Sequence, residues 1–431
     1  MPSPIASAAG SVSAGRWPTR YTLIALCVLA TFVCYIDRVN ISVAVLAMQE
    51  EFGWTETTKG LVLSSFFVGY MTFMPVSGWL ANRFGGRRVL GFAVLWWSIW
   101  TILTPIAAGM SFAMLIIARI AMGAGEAATF PGVYNLYGRW VPQTERSRAV
   151  AFLTAGIPLG TLFALTATGW MVADFGWPVV FYSFGLVGIF WCLAWFPLVR
   201  DYPREHPRIS AEEREMLEAA APQESSRDPV PWGRLLRAPA VWALMINHLC
   251  TNWVFYILLA WLPSYFRGAL GLTLTQSGLY AAGPWVAMFT VGTLSGYVAD
   301  AIVRRGVSLT AVRKTMQVIG LSGAACFMLA ARDVTSPDVA FGLMCGALGT
   351  LALTWAGFLP NHLEIAPRYA DVLMGITNTA GTLPGVIGVA ITGWMVEATG
   401  TYDAAFLLAA GVNLFGAVVW LFFGTARKVI D

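Results

Sequence analysis

Thr22-Leu-Ile-Ala-Leu-Cys-Val-Leu-Ala-Thr-Phe-Val-Cys-Tyr-Ile-Asp37-Arg38-Val-Asn-Ile-Ser-Val-Ala-Val-Leu-Ala-Met48 is an apolar run long enough to cross a bilayer, and it carries an acid and a base side by side. A second run, from about 111 to 138, contains Arg119-Ile-Ala-Met-Gly-Ala-Gly-Glu126-Ala-Ala-Thr-Phe-Pro131-Gly132. A charge at the middle of a membrane helix costs about 2.5–3.5 kcal/mol on insertion scales. Four such charges in two helices mark an ion or substrate pathway.

The composition agrees with a membrane setting. Of 431 residues, 57% are apolar and 12% charged, and the mean hydropathy is +0.66. No soluble domain needs that much apolar surface. The 19 tryptophans suit rings anchored at headgroup level. The six cysteines (Cys27, Cys34, Cys192, Cys250, Cys326 and Cys345) all fall in apolar runs, form no CxxC, and read as small buried hydrophobes. Arg16 and Arg20 before the first run resemble a signal-peptide start. The run is too long for one and carries Asp37-Arg38, so a retained first span is expected.

Twelve spans are expected, at about 22–47, 59–81, 89–109, 111–138, 147–173, 178–198, 240–266, 276–300, 313–331, 338–361, 371–396 and 404–425. The expected organisation is an N-terminal segment (1–20), a six-helix bundle (21–199), a polar linker (200–239), a second six-helix bundle (240–425) and a C-terminal tail (426–431). Within the linker, Ser210 and Glu213 fit the two positions of a capping box. Of the 27 lysines and arginines, Arg38 and Arg119 lie inside spans. Lys59, Arg267 and Arg332 lie on one side, and the other 22 lie on the side of the termini and linker. Basic loops stay cytoplasmic, so both termini and the linker are expected there.

The halves repeat. Thr154-Ala155-Gly156 returns as Thr379-Ala380-Gly381, 225 residues later, and Gly169-Trp170-Met171-Val172 returns as Gly393-Trp394-Met395-Val396. Gly78-x-x-x-Asn82 returns as Gly296-x-x-x-Asp300. Parallel repeats of six spans are a transporter architecture with the substrate site between the halves.

Gly78-Trp-Leu-Ala-Asn82-Arg83-Phe-Gly85-Gly86-Arg87-Arg88 resembles the helix 2–3 loop signature of the major facilitator superfamily. The resemblance extends over the whole chain and implies an all-α integral membrane fold of twelve helices in two pseudo-symmetric bundles. It also implies a conformational latch built from Gly78, Asn82, Arg83 and Arg87, with Asp300 and Arg304 in the second half. Asn82 stands where the family has an acid, which weakens a charged latch there. A basic turn that serves only topology is the alternative.

Finer features are Tyr35-Ile36-Asp37-Arg38-Val39-Asn40, the Arg119–Pro131 stretch, Asn252-Trp253-Val-Phe-Tyr256 and Trp261-Leu262-Pro263-Ser-Tyr265-Phe. Together they resemble the anion:cation symporter branch, which includes sugar-acid, hexuronate and phthalate permeases and sialic acid and vesicular glutamate carriers. The resemblance implies a proton-coupled importer of an organic carboxylate in the inner membrane. An exporter or uncoupled facilitator of the same fold is the alternative, and a non-transporting sensor lies outside the class.

The residues themselves support those roles. Arg119 and Glu126 are seven apart, on one helical face and about 10 Å apart axially. Asp37 and Arg38 point about 100° apart. Cross-helix pairing of Asp37 with Arg119 and of Arg38 with Glu126 is therefore possible, either as a proton path or as a static salt-bridge network. Asp37 and Glu126 are the expected proton carriers. Arg38, with Arg119, is expected to fork onto a carboxylate. Tyr70, Asn252, Tyr256, Thr354, Trp355 and Asn378 are expected cavity contacts. His206, His248 and His362 read as bystanders.

Vesicular glutamate carriers have arginine where this chain has Thr251, so a monocarboxylate with hydroxyls facing Thr251, Asn252, Tyr256 and Asn378 is expected. No Walker A sequence, metal-ligand spacing or catalytic constellation stands out, so no enzyme is expected. No cofactor is expected besides protons as the coupling ion. The expected partners are a small organic anion, protons and the bilayer, without nucleic acid, and the chain is expected to be a monomer.

Overall fold

The computed structural model describes residues 17–219 and 231–429. Residues 1–16 of the N-terminal segment, 220–230 of the linker and 430–431 of the tail lie outside the described residues. Twelve long helices follow in order. In the first half, α1 is Thr19–Phe52, α2 Glu56–Phe84, α3 Gly86–Met110, α4 Phe112–Trp140, α5 Gln143–Phe175 and α6 Trp177–Leu198. In the second, α7 is Pro239–Ala269, α8 Leu274–Arg304, α9 Leu309–Ala330, α10 Pro337–Ile365, α11 Val372–Thr399 and α12 Asp403–Phe423. Eleven are long and apolar enough to cross a membrane. The exception, α9, has 22 residues, about 33 Å of helix. Its polar content, Arg313, Lys314 and Gln317, is gathered near its start. Among the described residues there is no strand.

Local chemistry sets the ends. Thr55 caps α2 by accepting from the Thr58 amide, and Ser111 caps α4 by accepting from that of Met114. Thr273 and Gln276 form a reciprocal capping box on α8. Gly53 ends α1 at φ 66°, a conformation glycine adopts without strain.

The two halves pack alike. In the first, α1 contacts α5 and α6, α2 contacts α4, and α3 contacts α4 and α6. In the second, α7 contacts α11 and α12, α8 contacts α10, and α9 contacts α10 and α12. Both α4 and α10 are interrupted, after Glu126 and after Leu351. Leu351 follows Glu126 by the same 225 residues that separate the repeated Thr-Ala-Gly motifs. The second half thus carries leucine where the first carries the acid, and Met344 where the first carries Arg119. Large apolar side chains such as Phe92, Phe190, Leu193 and Phe422 are exposed along α3, α6 and α12, a surface suited to lipid.

The face bearing the termini and linker is tied together in the first half. Arg20 binds Glu145 on α5 at 3.0 Å and Glu213 in the linker helix Ala211–Ala219 at 3.0 Å. Glu213 also accepts from the amides of Thr19 and Arg20 at the start of α1. Ser210 does cap the linker helix. The Glu213 carboxylate, expected to reach back to that cap, goes to α1 because a guanidinium and two helix-start amides are stronger partners.

The latch residues are arranged differently from expectation. Asn82 accepts from Asn135, which in turn accepts from the Gly86 amide. The carboxylate at this turn is Asp201, which accepts from the Arg87 amide at 2.9 Å and lies 3.9 Å from Arg139. Arg87 also donates to the Phe196 carbonyl. Arg83 rests on Trp79 and Phe84. In the second half Asp300 and Arg304 are exposed and make no ion pair among the described residues. The bound pair there is Arg313–Glu364, at 2.7 Å. The charged latch expected of Asp300 and Arg304 is therefore not formed in this conformation.

The halves meet at α2–α11, α5–α8 and α1–α7. Toward the far face, Thr57 donates to Glu397, Arg267 pairs with Glu50 at 2.6 Å, and Lys59 lies 5.0 Å over Trp261. Nearer the termini, Gly78 and Gly296 have open space where a Cβ would stand, and Trp79, Phe152 and Tyr297 are exposed. The Thr57–Glu397, Arg267–Glu50 and Lys59–Trp261 contacts hold the cleft between the halves shut on the far side.

Candidate functional site

The interior charges gather where α1, α2 and α4 cross. Close approach of α2 and α4 depends on two glycines. A Cβ at Gly69 would strike the Ile120 carbonyl, and one at Gly123 the Phe66 carbonyl. This contact brings Phe66 and Tyr70 of α2 over the guanidiniums.

Arg38 Nε donates to Glu126 Oε2 at 3.0 Å, and the pair is almost fully buried. The Arg38 guanidinium is stacked by Tyr35, Phe66 and Tyr70, with ring centres 4.7, 5.0 and 4.6 Å away. Arg119 lies on the same Phe66 ring at 5.5 Å. It is 1% exposed and has no carboxylate within ion-pair distance among the described residues. Its Nη1 donates to the Met122 sulfur at 3.1 Å, and its Nε has no partner among the described residues.

Asp37 is also fully buried, and it does not pair with Arg119. The Trp97 indole of α3 donates to its Oδ2 at 3.1 Å, and Oδ1 has no partner among the described residues. One of the two cross-helix pairs that the sequence allows is thus formed and the other is not. The physical reason is rotation about α1: Arg38 faces α2 and α4, while Asp37, about 100° round, faces α3.

Both guanidiniums reach one small cavity between the halves, lined also by Ser42 of α1, Phe67 of α2 and Leu259 and Ala260 of α7. Its volume is about 20 Å³, room for a single water. In this conformation the site is closed down around the arginines, with the Tyr256 ring of α7 4.6 Å from Phe67.

The polar residues expected from the second half divide. Asn378 donates to the Met74 sulfur across the inter-half seam at 3.1 Å, and Asn252 donates to the Gly381 carbonyl at 2.8 Å. Thr354 does not face the cleft. Its hydroxyl returns to the Leu351 carbonyl and its methyl packs on Gly320 of α9. Trp355 packs against Gly292 of α8. Thr251 accepts from Gln317 of α9, which also donates to Asn247, so its hydroxyl is spent inside the second bundle. For Thr354 and Trp355 the cause is the interruption of α10 after Leu351, where the turn redirects the residues that follow; Thr251 lies on the side of α7 that faces α9.

Several contributors escape a reading of the sequence. Trp97, Tyr35 and Cys34 look like packing residues, yet they contact Asp37, Arg38 and Glu126 respectively. Asn40 is fully buried, and both its amide atoms lack a partner among the described residues. A signal existed for Asn40, a polar residue one turn from Asp37 inside an apolar run. His248 and His362 come together with ring centres 6.4 Å apart, and His362 bonds Thr377. Among the described residues no cluster of metal-ligating side chains occurs.

Comparisons with known proteins agree with this architecture. The Major Facilitator Superfamily family model matches residues 27–389. An ascorbate transporter of Arabidopsis thaliana chloroplasts is 40% identical over 96% of this chain and 77% of its own length. A chloroplastic sodium-dependent phosphate transport protein from the same plant is 42% identical over 96% of this chain and 81% of its own. Among solved structures, a bacterial homologue of the human lysosomal transporter Spinster superposes with a TM-score of 0.74 at 19% identity, covering 94% of this chain and 96% of that one.

Proposed function

The chain belongs to the Major Facilitator Superfamily, is a multi-pass membrane transporter rather than an enzyme, and we propose that it is a proton-coupled symporter that imports an organic carboxylate. Its relatives are anion transporters. The observation that carries the reading is Arg119, a buried guanidinium in the inter-half cleft with no carboxylate partner. A guanidinium without a carboxylate in contact favours a bound anion there, and it forks onto two oxygens of a carboxylate.

Coupling follows from the neighbouring pair. With Glu126 charged, Arg38 is engaged. Protonation of Glu126 removes the charge that holds Arg38 and frees that guanidinium to join Arg119 on the substrate. Proton and anion then load together. The four buried charges, Asp37, Arg38, Arg119 and Glu126, sum to zero. One proton with one monocarboxylate leaves that sum unchanged, while a dicarboxylate needs a second proton, for which Asp37 is placed. Tyr70, Tyr256, Asn252 and Asn378 line the approach for hydroxyls of the anion.

The basic loops put the terminal face in the cytoplasm, so that face is the release side of an importer in the cell's inner membrane. The bundles rock about the Arg119 site with the chain acting as a monomer, protons as coupling ion and no cofactor.

Uptake by purified protein in liposomes tests this. An imposed pH gradient, and no sodium gradient, is expected to drive accumulation of ascorbate or an aldonate. An aldonate is expected to compete better than the matched aldarate. Sodium-driven uptake of phosphate with no carboxylate uptake would overturn the reading.

A further inference from the structure

Cys34 lies one helical turn before Arg38 on α1 and is fully buried. A cysteine that serves only as a small hydrophobe packs among carbon atoms, and this one does not. Its Sγ donates to Glu126 Oε2 at 3.1 Å. It accepts from Arg38 Nη2 at 3.6 Å, and the Thr129 hydroxyl oxygen lies 3.8 Å away. Thr129 in turn donates to the Glu126 carbonyl at 2.8 Å, just past the break in α4. The thiol therefore bridges both members of the ion pair, beside the interruption of the helix. Among the described residues Glu126 Oε2 has two donors, Arg38 Nε and Cys34 Sγ, while Oε1 has none.

We infer that Cys34 is a positioning residue of the coupling centre: its thiol holds the Glu126 carboxylate against Arg38 and sets the pH at which transport takes up its proton. The inference rests on the reading of Glu126 as the proton carrier. A donor to the charged form of an acid favours that form. The remaining groups around Glu126 are Asp37 and Arg38 from α1 and Arg119 from α4. Tyr70 of α2 stacks on Arg38, α7 adds Tyr256, and α3 adds only Trp97, which does not titrate. Of these, Cys34 alone donates a neutral hydrogen bond to the carboxylate.

The choice of sulfur has a physical consequence. A thiol is a weak donor and tolerates apolar surroundings, so losing its bond costs less than stranding a buried hydroxyl. Glu126 is held while charged and released at small cost once protonated. A serine here would hold the carboxylate more firmly.

The test is the pH profile of uptake in proteoliposomes for wild type, Cys34→Ala and Cys34→Ser. The half-maximal pH is expected to follow the order Ala above Cys, with Ser at or below Cys. Cys34→Ala should move it alkaline by about 0.5–1 unit, a 3- to 10-fold gain in proton affinity. A folded Cys34→Ala protein with an unmoved midpoint overturns the inference. So does displacement of both variants in the same direction, which is the signature of lost packing.

A second measurement does not depend on coupling. The infrared S–H stretch of Cys34, taken as wild type minus Cys34→Ala, is expected to lie below that of a free thiol and to move in Glu126→Gln. An S–H band indifferent to Glu126→Gln overturns the inference even if uptake proves pH-dependent. Uptake indifferent to pH in wild type, with a band that does move, would instead sink the proton reading and keep the contact.

Discussion

Glu126→Gln separates binding from coupling. The amide keeps the shape and an acceptor oxygen for Arg38 but removes the charge. Arg38 and Arg119 then face the cleft as two buried cations opposed only by Asp37. A unit charge about 5 Å away, in a medium of effective dielectric about 20, contributes about 3 kcal/mol. That is the extra attraction available to a substrate carboxylate once Glu126 no longer competes for Arg38. At about 1.4 kcal/mol per tenfold, it sets a ceiling of roughly a hundredfold in affinity. Mutual repulsion of the arginines reduces the gain, so about tenfold tighter binding at pH 8 is expected.

The empty protein loses stability, because removing one partner of a buried pair costs about 3–5 kcal/mol before the amide hydrogen bond offsets part of it. Titration calorimetry at pH 6 and pH 8 should show affinity nearly independent of pH in the variant. In wild type, affinity should fall as pH rises, because charged Glu126 reclaims Arg38. In liposomes the variant should still exchange substrate across the membrane yet fail to accumulate it on a pH gradient. Gradient-driven accumulation at the wild-type level would refute the assignment of Glu126.

Other perturbations test neighbouring claims. Arg119→Lys keeps the charge but not the fork, and substrate affinity should fall by tenfold or more; unchanged calorimetry would hand the anion site to Arg38. Trp97→Phe removes the one hydrogen bond that the buried Asp37 carboxylate makes among the described residues, which should cost about 1–3 kcal/mol and lower the melting temperature; an unshifted melt would mean that Asp37 is satisfied otherwise. Thr354→Val should leave uptake kinetics within about twofold, since the hydroxyl serves only the Leu351 carbonyl; a large loss of affinity would return Thr354 to the cleft. Glu213→Gln should loosen the linker helix and the start of α1 by about 1.5–3 kcal/mol, read as faster amide exchange over residues 19–24 and 211–219; unaltered exchange would make the Arg20 contact incidental.

What the sequence by itself determined is the class of molecule and the cast of charged residues. Twelve apolar runs, a one-sided basic bias and a repeat of about 225 residues suffice for two six-helix bundles. They do so because a bilayer leaves the backbone few alternatives. The same constraint makes Asp37, Arg38, Arg119 and Glu126 conspicuous, since charge in an apolar run is costly wherever the helix sits.

Only the tertiary structure decided which charge meets which. A helix turns about 100° per residue, so adjacent residues such as Asp37 and Arg38 answer to different neighbours, and the rotation of α1 is set by all the helices around it. That rotation gives Glu126 to Arg38, gives Asp37 to Trp97 and leaves Arg119 without a carboxylate contact among the described residues. The break in α10 turns Thr354 away from the cleft, and the crossing of α1 over the end of the first part of α4 draws Cys34 into the ion pair. The acid at the α2–α3 turn is likewise supplied by Asp201, more than a hundred residues away in sequence. No local pattern encodes such pairings, because they depend on the packing of surfaces that sequence distance keeps apart.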